Sequence, residues 1–272
     1  MIDAHQHLWQ IGRNGQAWPT DADRPIFRDY GLADFRAEAL PLGVTRTVLV
    51  QSQPDARDTD WLLNLAEAED LVAGVVGWTE LAAPDATARI ADLADRRKLK
   101  ALRPMVQDLG ADWYDDAALE PACAAMVEHG LRLDALVRVP HLKSLDRLAA
   151  RFPSLAIVID HAAKPRIDAE EGFAQWRAAI TPLAARPNVF CKLSGLLTEC
   201  GAAAPEAVEP YACAIVELFG AERTLWGSDW PVLELAGGYR DWLELAQACV
   251  PAAAHADVFG RAAARFYELE DA

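Results

Sequence analysis

Eight short runs rich in β-branched or apolar residues recur along the chain, and longer segments of helical periodicity separate them. The runs cover residues 2–9, 46–52, 72–79, 101–107, 133–139, 155–161, 189–196 and 224–230. The helical stretches include 59–69, 86–98, 117–129, 142–152 and 206–219, with Pro and Gly at the joints. A strand followed by a helix, repeated, covers both faces of the growing sheet and keeps its strands parallel. Eight such repeats in 272 residues match the roughly 250 residues typical of a closed barrel better than an open sheet. The expected architecture is α/β, a single (β/α)8 TIM barrel. No Ser/Gly-rich linker, long charge run or fixed-period repeat divides the sequence, so one domain over residues 1–272 is expected. Residues 10–30 are too long for a routine βα connection and rich in Gly, Asp, Pro and aromatics, so they are expected to fold over the barrel mouth.

Composition narrows the function classes. The 41 acidic residues exceed the 26 Lys and Arg, and the resulting formal charge of −15 repels phosphate backbones and anionic bilayers. Neither a general nucleic-acid partner nor a membrane partner is expected. No apolar run approaches the roughly 20 residues of a membrane span, and the first residues lack the basic-then-apolar order of a signal peptide. A cytoplasmic protein is expected, as a monomer or a small homo-oligomer. Cys123, Cys191, Cys200, Cys213 and Cys249 are odd in number and have no CxxC spacing, which points to buried thiols rather than a disulfide framework or zinc knuckle.

In a barrel of this kind the reactive groups gather where the strands end. His5 and His7 lie two apart in the first run, and a period of two turns both imidazoles to one face. His161 closes the sixth run and Asp229 follows Leu225-Trp226-Gly227-Ser228 at the eighth, so three imidazoles and one carboxylate should meet at one rim. Singly, such a His is a satisfied polar group and such an Asp a helix cap. Together, His5, His7, His161 and Asp229 form a catalytic set. They can coordinate one divalent cation, Zn²⁺ by ligand type, or hold a water directly while Asp229 takes its proton, so metal-free catalysis stays open. The fourth run offers Arg103 and Gln107 rather than a bridging carboxylate or lysine, and Lys100 stands at its wrong end, so no second metal is expected.

Cations at the same rim would meet substrate oxygens. Arg103 and Arg138 fall late in their runs, Lys164 follows His161, and Lys192 sits inside Val189-Phe190-Cys191-Lys192-Leu193. Buried lysine without a partner is costly, so these four are assigned to substrate, with structural pairing to Asp160, Glu80 or Glu199 as the other reading. Trp9 and His141 join the substrate-facing group, while Trp18, Trp78 and Trp230 suit either stacking on a sugar or core packing. His129, before Gly130, reads as a helix cap, and His255 as structural. Dinucleotide and phosphate-loop fingerprints are absent.

Six motifs carry a resemblance in chain order: Met1-Ile2-Asp3-Ala4-His5-Gln6-His7-Leu8-Trp9, Leu102-Arg103-Pro104-Met105-Val106-Gln107-Asp108, Val137-Arg138, Val158-Ile159-Asp160-His161-Ala162-Ala163-Lys164-Pro165, Cys191-Lys192-Leu193-Ser194-Gly195-Leu196 and Trp226-Gly227-Ser228-Asp229-Trp230-Pro231. The sequence resembles the amidohydrolase-2 branch of the amidohydrolase superfamily, which includes lactonases acting on L-fucono- and L-rhamnono-lactones and on 2-pyrone-4,6-dicarboxylate. The resemblance implies water attack on a cyclic ester. His5, His7 and His161 would orient the water or bind the metal, Asp229 would be the general base, and Arg103, Arg138, Lys164 and Lys192 would polarise the carbonyl or hold substrate oxygens. A sugar-derived lactone is the expected small-molecule substrate. The alternatives are an aromatic-pathway dicarboxylate, whose two charges would call on Arg103, Arg138 and Arg166, a decarboxylase on the same scaffold, and a catalytically silent sugar-acid binder.

Overall fold

The computed structural model describes residues 1–169 and 172–270. Eight parallel strands follow one another around the sheet in chain order: β1 (Ile2–Gln6), β2 (Arg46–Val50), β3 (Val72–Gly77), β4 (Leu99–Leu102), β5 (Arg132–Ala135), β6 (Ile157–Ile159), β7 (Val189–Leu193) and β8 (Thr224–Trp226). A single parallel bridge between Gln6 and Trp230, with the His7 amide donating to the Trp230 carbonyl at 2.8 Å, brings the last strand back to the first. The fold is a nearly closed α/β TIM barrel.

Around it run α1 (Leu32–Ala39), α2 (Ala56–Glu67), α3 (Ala86–Ala94), α4 (Glu120–Glu128), α5 (Leu142–Arg151), α6 (Gly172–Ala184), α7 (Glu209–Phe219), α8 (Tyr239–Cys249) and α9 (Ala262–Phe266). Strand alternation sorts two cores. Leu133, Ala135, Ile157, Ile159, Cys191, Leu193 and Trp226 pack outward against the helices. Ile2, Ala4, Val48, Val50, Ala101, Val158 and Leu225 pack together with Phe266, Tyr267 and Leu269, so the end of the chain, from α9 onward, packs against the inward-facing residues.

Several expected boundaries move. The stretch 86–98 stops as helix at Ala94, because Arg96 and Arg97 lie in a turn leading to β4. The stretch 117–129 opens with a tighter turn, Ala117–Leu119, capped by the Asp116 carboxylate accepting from the Ala118 amide, before α4 begins ahead of Pro121. The sixth and eighth runs leave the sheet early, at Ile159 and Trp226, and their polar ends become loops. Among the cysteines, Cys123, Cys191 and Cys200 are buried as expected, but Cys213 is exposed and Cys249 half-buried, since both lie on outer helices. Among the described residues no helix is long and apolar enough to cross a membrane.

Candidate active site

The site is built by departures from regular structure. β1 and β2 slip register between Asp3 and Gln6, and this irregularity brings His5 to the barrel interior directly after inward-facing Ala4. Asp3 fixes the stretch by accepting from the amides of His5 (3.1 Å) and Ser228 (2.9 Å) and from the Tyr239 hydroxyl (2.7 Å). After β6 the chain makes a left-handed run, with φ of +50° at His161, +51° at Ala162, +64° at Ala163 and +48° at Lys164. Non-glycine residues take this region at a cost of about 1 kcal/mol or more each, so the surroundings must hold it. The Trp176 indole donates to the Ala162 carbonyl at 2.7 Å, and Gly195 lies so close that a Cβ there would stand 2.4 Å from His161 Nδ1. Asp229 is likewise left-handed, at φ +59°.

These devices converge four side chains. Asp229 Oδ1 lies 3.3 Å from His7 Nε2, 3.6 Å from His5 Nε2 and 3.8 Å from His161 Nε2, and the imidazoles of His5 in β1 and His7 just after it face each other Nε2 to Nε2 at 3.1 Å. The outer nitrogens are tied down: His7 Nδ1 to the Val50 carbonyl at 2.8 Å, which places the proton on Nδ1, and His161 Nδ1 to the Ser194 hydroxyl at 2.9 Å. Burial, followed by the nearby Lys192 ammonium, pushes the His5 imidazole well below its ordinary value. Burial also lowers His161, to about 4. Burial alone would raise Asp229, but the facing imidazoles outweigh it and hold the carboxylate well below its usual range. The set is thus an ionised carboxylate beside His5 and His161 rings that burial holds neutral.

The lowered His161 value fixes the direction of a pH effect. An unfolded chain binds a proton here near 6.5 and the folded chain only near 4, so the folded state loses relative stability as pH falls through that window. The loss reaches roughly 3 kcal/mol once both states are protonated. Urea midpoints at pH 7 and pH 4.5 should fall accordingly in the wild type, and less in His161→Gln; an equal fall in both would contradict the assignment.

A cavity of about 300 Å³ opens over this set. His7, His161 and Asp229 line it, with Ser52, Arg103, Gln107, Asp108 and Lys164 as polar neighbours and Trp18, Met105, Leu136 and Val232 as apolar ones. His5 lies just beneath, fully buried. Arg103 and Lys164 each already face a carboxylate, Asp160 at 3.5 Å and Glu199 at 3.4 Å. Arg138 is outside the lining, half-exposed, and 3.9 Å from both Asp108 and Glu199.

Besides Arg138, three further residues expected to face substrate are placed elsewhere. Lys192 is completely buried under the histidines, where Nζ meets Asp134 at 2.5 Å, Asp160 at 2.9 Å and His5 Nδ1 at 3.0 Å, so its three donors have partners. Trp9 is buried in the core, donating to the Arg28 carbonyl at 2.8 Å. His141 packs at the start of α5, its ring nitrogens 3.1 Å from the Arg138 amide and 3.2 Å from the Leu109 carbonyl. Sequence reasoning passed over Asp134 and Tyr267, whose hydroxyl donates to Asp134 at 2.7 Å. A carboxylate at the inward position of Leu133-Asp134-Ala135 was a readable signal for the first; nothing in the sequence marked the second.

Comparison with known proteins places the chain in a family. A family model described as amidohydrolase matches residues 2–269. An L-fucono-1,5-lactonase of Burkholderia ambifaria is 48% identical, with 99% of this chain and 96% of the relative covered. An L-fucono-1,5-lactonase of Burkholderia multivorans is 35% identical over the same shares. Crystal structures of a Burkholderia multivorans amidohydrolase, one with bound HEPES and one with bound zinc, superpose with TM-scores of 0.92 and 0.88 at 32% identity, covering 99% of both chains. The chain belongs to the amidohydrolase family.

Proposed function

We propose that this enzyme is a lactonase that opens a sugar-derived lactone of the L-fucono-1,5-lactone type by water attack on the cyclic ester. What carries the reading is one carboxylate, Asp229, set among three imidazoles and lining a cavity, in a chain with two full-length relatives that are L-fucono-1,5-lactonases. His7 and His161 hold a water against Asp229 Oδ1. Asp229 accepts its proton as the oxygen attacks the lactone carbonyl, and Arg103 and Lys164, although each is paired with a carboxylate, offer N–H donors where the carbonyl oxygen becomes an oxyanion. Collapse of the tetrahedral species breaks the ring C–O bond, and the proton on Asp229 passes to the leaving alkoxide.

The same donors fit one divalent cation. His5, His161 and Asp229 each aim a ligand atom into one small space, all within 4.8 Å of one another. The 3.6 and 3.8 Å separations to Asp229 Oδ1 approach the ~3.4 Å between ligands of a tetrahedral Zn²⁺ site. Nδ1 of His5 accepts from the Lys192 ammonium, which leaves the ring proton on Nε2, so His5 offers Nε2 to an ion only by shifting that proton to Nδ1, toward Asp160 Oδ1 at 3.5 Å. When bound, such an ion lowers the pKa of water and eases its deprotonation. Equilibrium dialysis against Zn²⁺ should load no more than one ion per chain, and His161→Ala should lose it. Two ions, or unchanged loading in the variant, would contradict the assignment.

The charge pattern favours a neutral polyol over a dicarboxylate. Both cations lining the cavity are already paired with carboxylates, while Arg138 lies outside the lining and Arg166 is exposed. A dianion would therefore enter with little uncompensated positive charge to meet it. The test is a pH-indicator assay against aldonolactones and 2-pyrone-4,6-dicarboxylate. Acid release from the aldonolactones is the expected result; turnover of the pyrone alone would overturn the reading.

A further inference from the structure

Of the residues lining the cavity, Trp18 alone comes from the long 10–30 segment, and among the described residues it is the one Trp, Tyr or Phe side chain there. Its position is held by an unusual strap. The side-chain amide of Gln53, on the loop after β2, accepts from the Ala17 amide at 2.9 Å and donates to the Trp18 carbonyl at 2.6 Å, so one buried side chain grips the backbone on both sides of a single peptide link. Gln53 is itself fixed, since the buried Asp58 carboxylate accepts from the amides of Ser52 (2.9 Å) and Gln53 (3.2 Å). Behind Trp18, the buried Trp9 ring packs edge-on at 5.6 Å. The indole is thereby pinned from its backbone and one side while staying half-buried at the cavity.

We propose that Trp18 is a specificity-determining residue that stacks on the apolar C–H face of the sugar lactone ring, with Gln53 as its positioning residue. This deepens the lactonase reading and rests on it. A polyol ring presents hydroxyls at its edge and C–H bonds on its faces. The cavity matches that division, with Ser52, Gln107 and Asp108 able to exchange hydrogen bonds with hydroxyls and an indole able to cover a face. A rigidly held ring loses little entropy on binding, which is what the Gln53 strap supplies. Stacking on the ring face opposite the attacking water changes little between the ground state and the transition state, so it belongs in KM.

Steady-state kinetics of Trp18→Ala, Trp18→Phe and Gln53→Ala on an aldono-1,5-lactone test this, with inhibition by the corresponding aldonate as an independent measure of binding. Trp18→Ala should raise KM and the aldonate inhibition constant about tenfold, with kcat changing far less. Trp18→Phe, which keeps a ring and guards against misfolding of the alanine variant, should fall between. Gln53→Ala should shift KM in the same direction without touching substrate. KM and inhibition constant within twofold of wild type in both Trp18 variants would overturn the proposal, as would a loss confined to kcat. If wild type hydrolyses no aldonolactone, the lactonase reading falls and takes this one with it. An active wild type with an unmoved KM in Trp18→Ala removes only the role of Trp18.

Discussion

Asp229→Asn should lower kcat for aldonolactone hydrolysis by at least about 10³-fold, within the range that removal of a positioned general base produces. The substitution keeps the shape of the side chain and removes the charge that faces His5, His7 and His161. Those rings are held from behind by Lys192, the Val50 carbonyl and Ser194, so the scaffold should survive. The unfolding midpoint should therefore stay close to that of wild type. A kcat within tenfold of wild type would remove Asp229 from proton transfer. A large fall in stability instead would make it a structural carboxylate.

Lys192→Met should be the most destabilising single substitution near the site. It leaves Asp134 and Asp160, both without solvent exposure, stripped of the ammonium that contacts them at 2.5 and 2.9 Å. Breaking a buried pair from one side costs about 3–5 kcal/mol, because Asp134 is left with neither water nor a counterion, while Asp160 keeps only Arg103 at 3.5 Å. In a chain of this size that lowers Tm by roughly 10 °C. The deficit has a sign in pH. Burial already pushes the Asp134 carboxyl up to about 6 against the pull of Lys192, and without Lys192 it rises further. Protonation then neutralises the stranded carboxylate, so the deficit of Lys192→Met relative to wild type should be smaller at pH 5 than at pH 8. A Tm within 2 °C of wild type, or a deficit that grows in acid, would contradict this account of the buried network.

The fate of Lys192 shows where sequence reasoning reached and where it stopped. A lysine inside Val189-Phe190-Cys191-Lys192-Leu193 was legible as an inward-facing, partnered group, because strand alternation fixes the face. How deep it lies along the barrel axis was not legible, since depth depends on strand stagger. That depth separates a side chain in the cavity from one beneath it. His5 teaches the converse. A period of two put it beside His7, and the two rings do face each other, yet a register slip delivers it, which no spacing rule encodes. The eight-strand order was readable because short apolar runs alternate with longer stretches of helical periodicity, with Pro or Gly at many of the joints. The ends of β6 and β8 were not, because His161 and Asp229 leave the sheet in left-handed conformations that surrounding packing imposes against local preference. Trp18 is one of several aromatics that the sequence marks as suited to a sugar. Its place in the cavity lining and the Gln53 strap, a contact across 35 residues, separate it from the buried Trp9.

The central claim is that this cavity hydrolyses a sugar lactone with Asp229 as base. Its most direct test is continuous acid release by the purified protein from L-fucono-1,5-lactone, read beside Asp229→Asn and corrected for spontaneous hydrolysis. The account predicts rapid saturable release by wild type and a rate near background for the variant. Release at background by wild type, or equal release by both proteins, would contradict it.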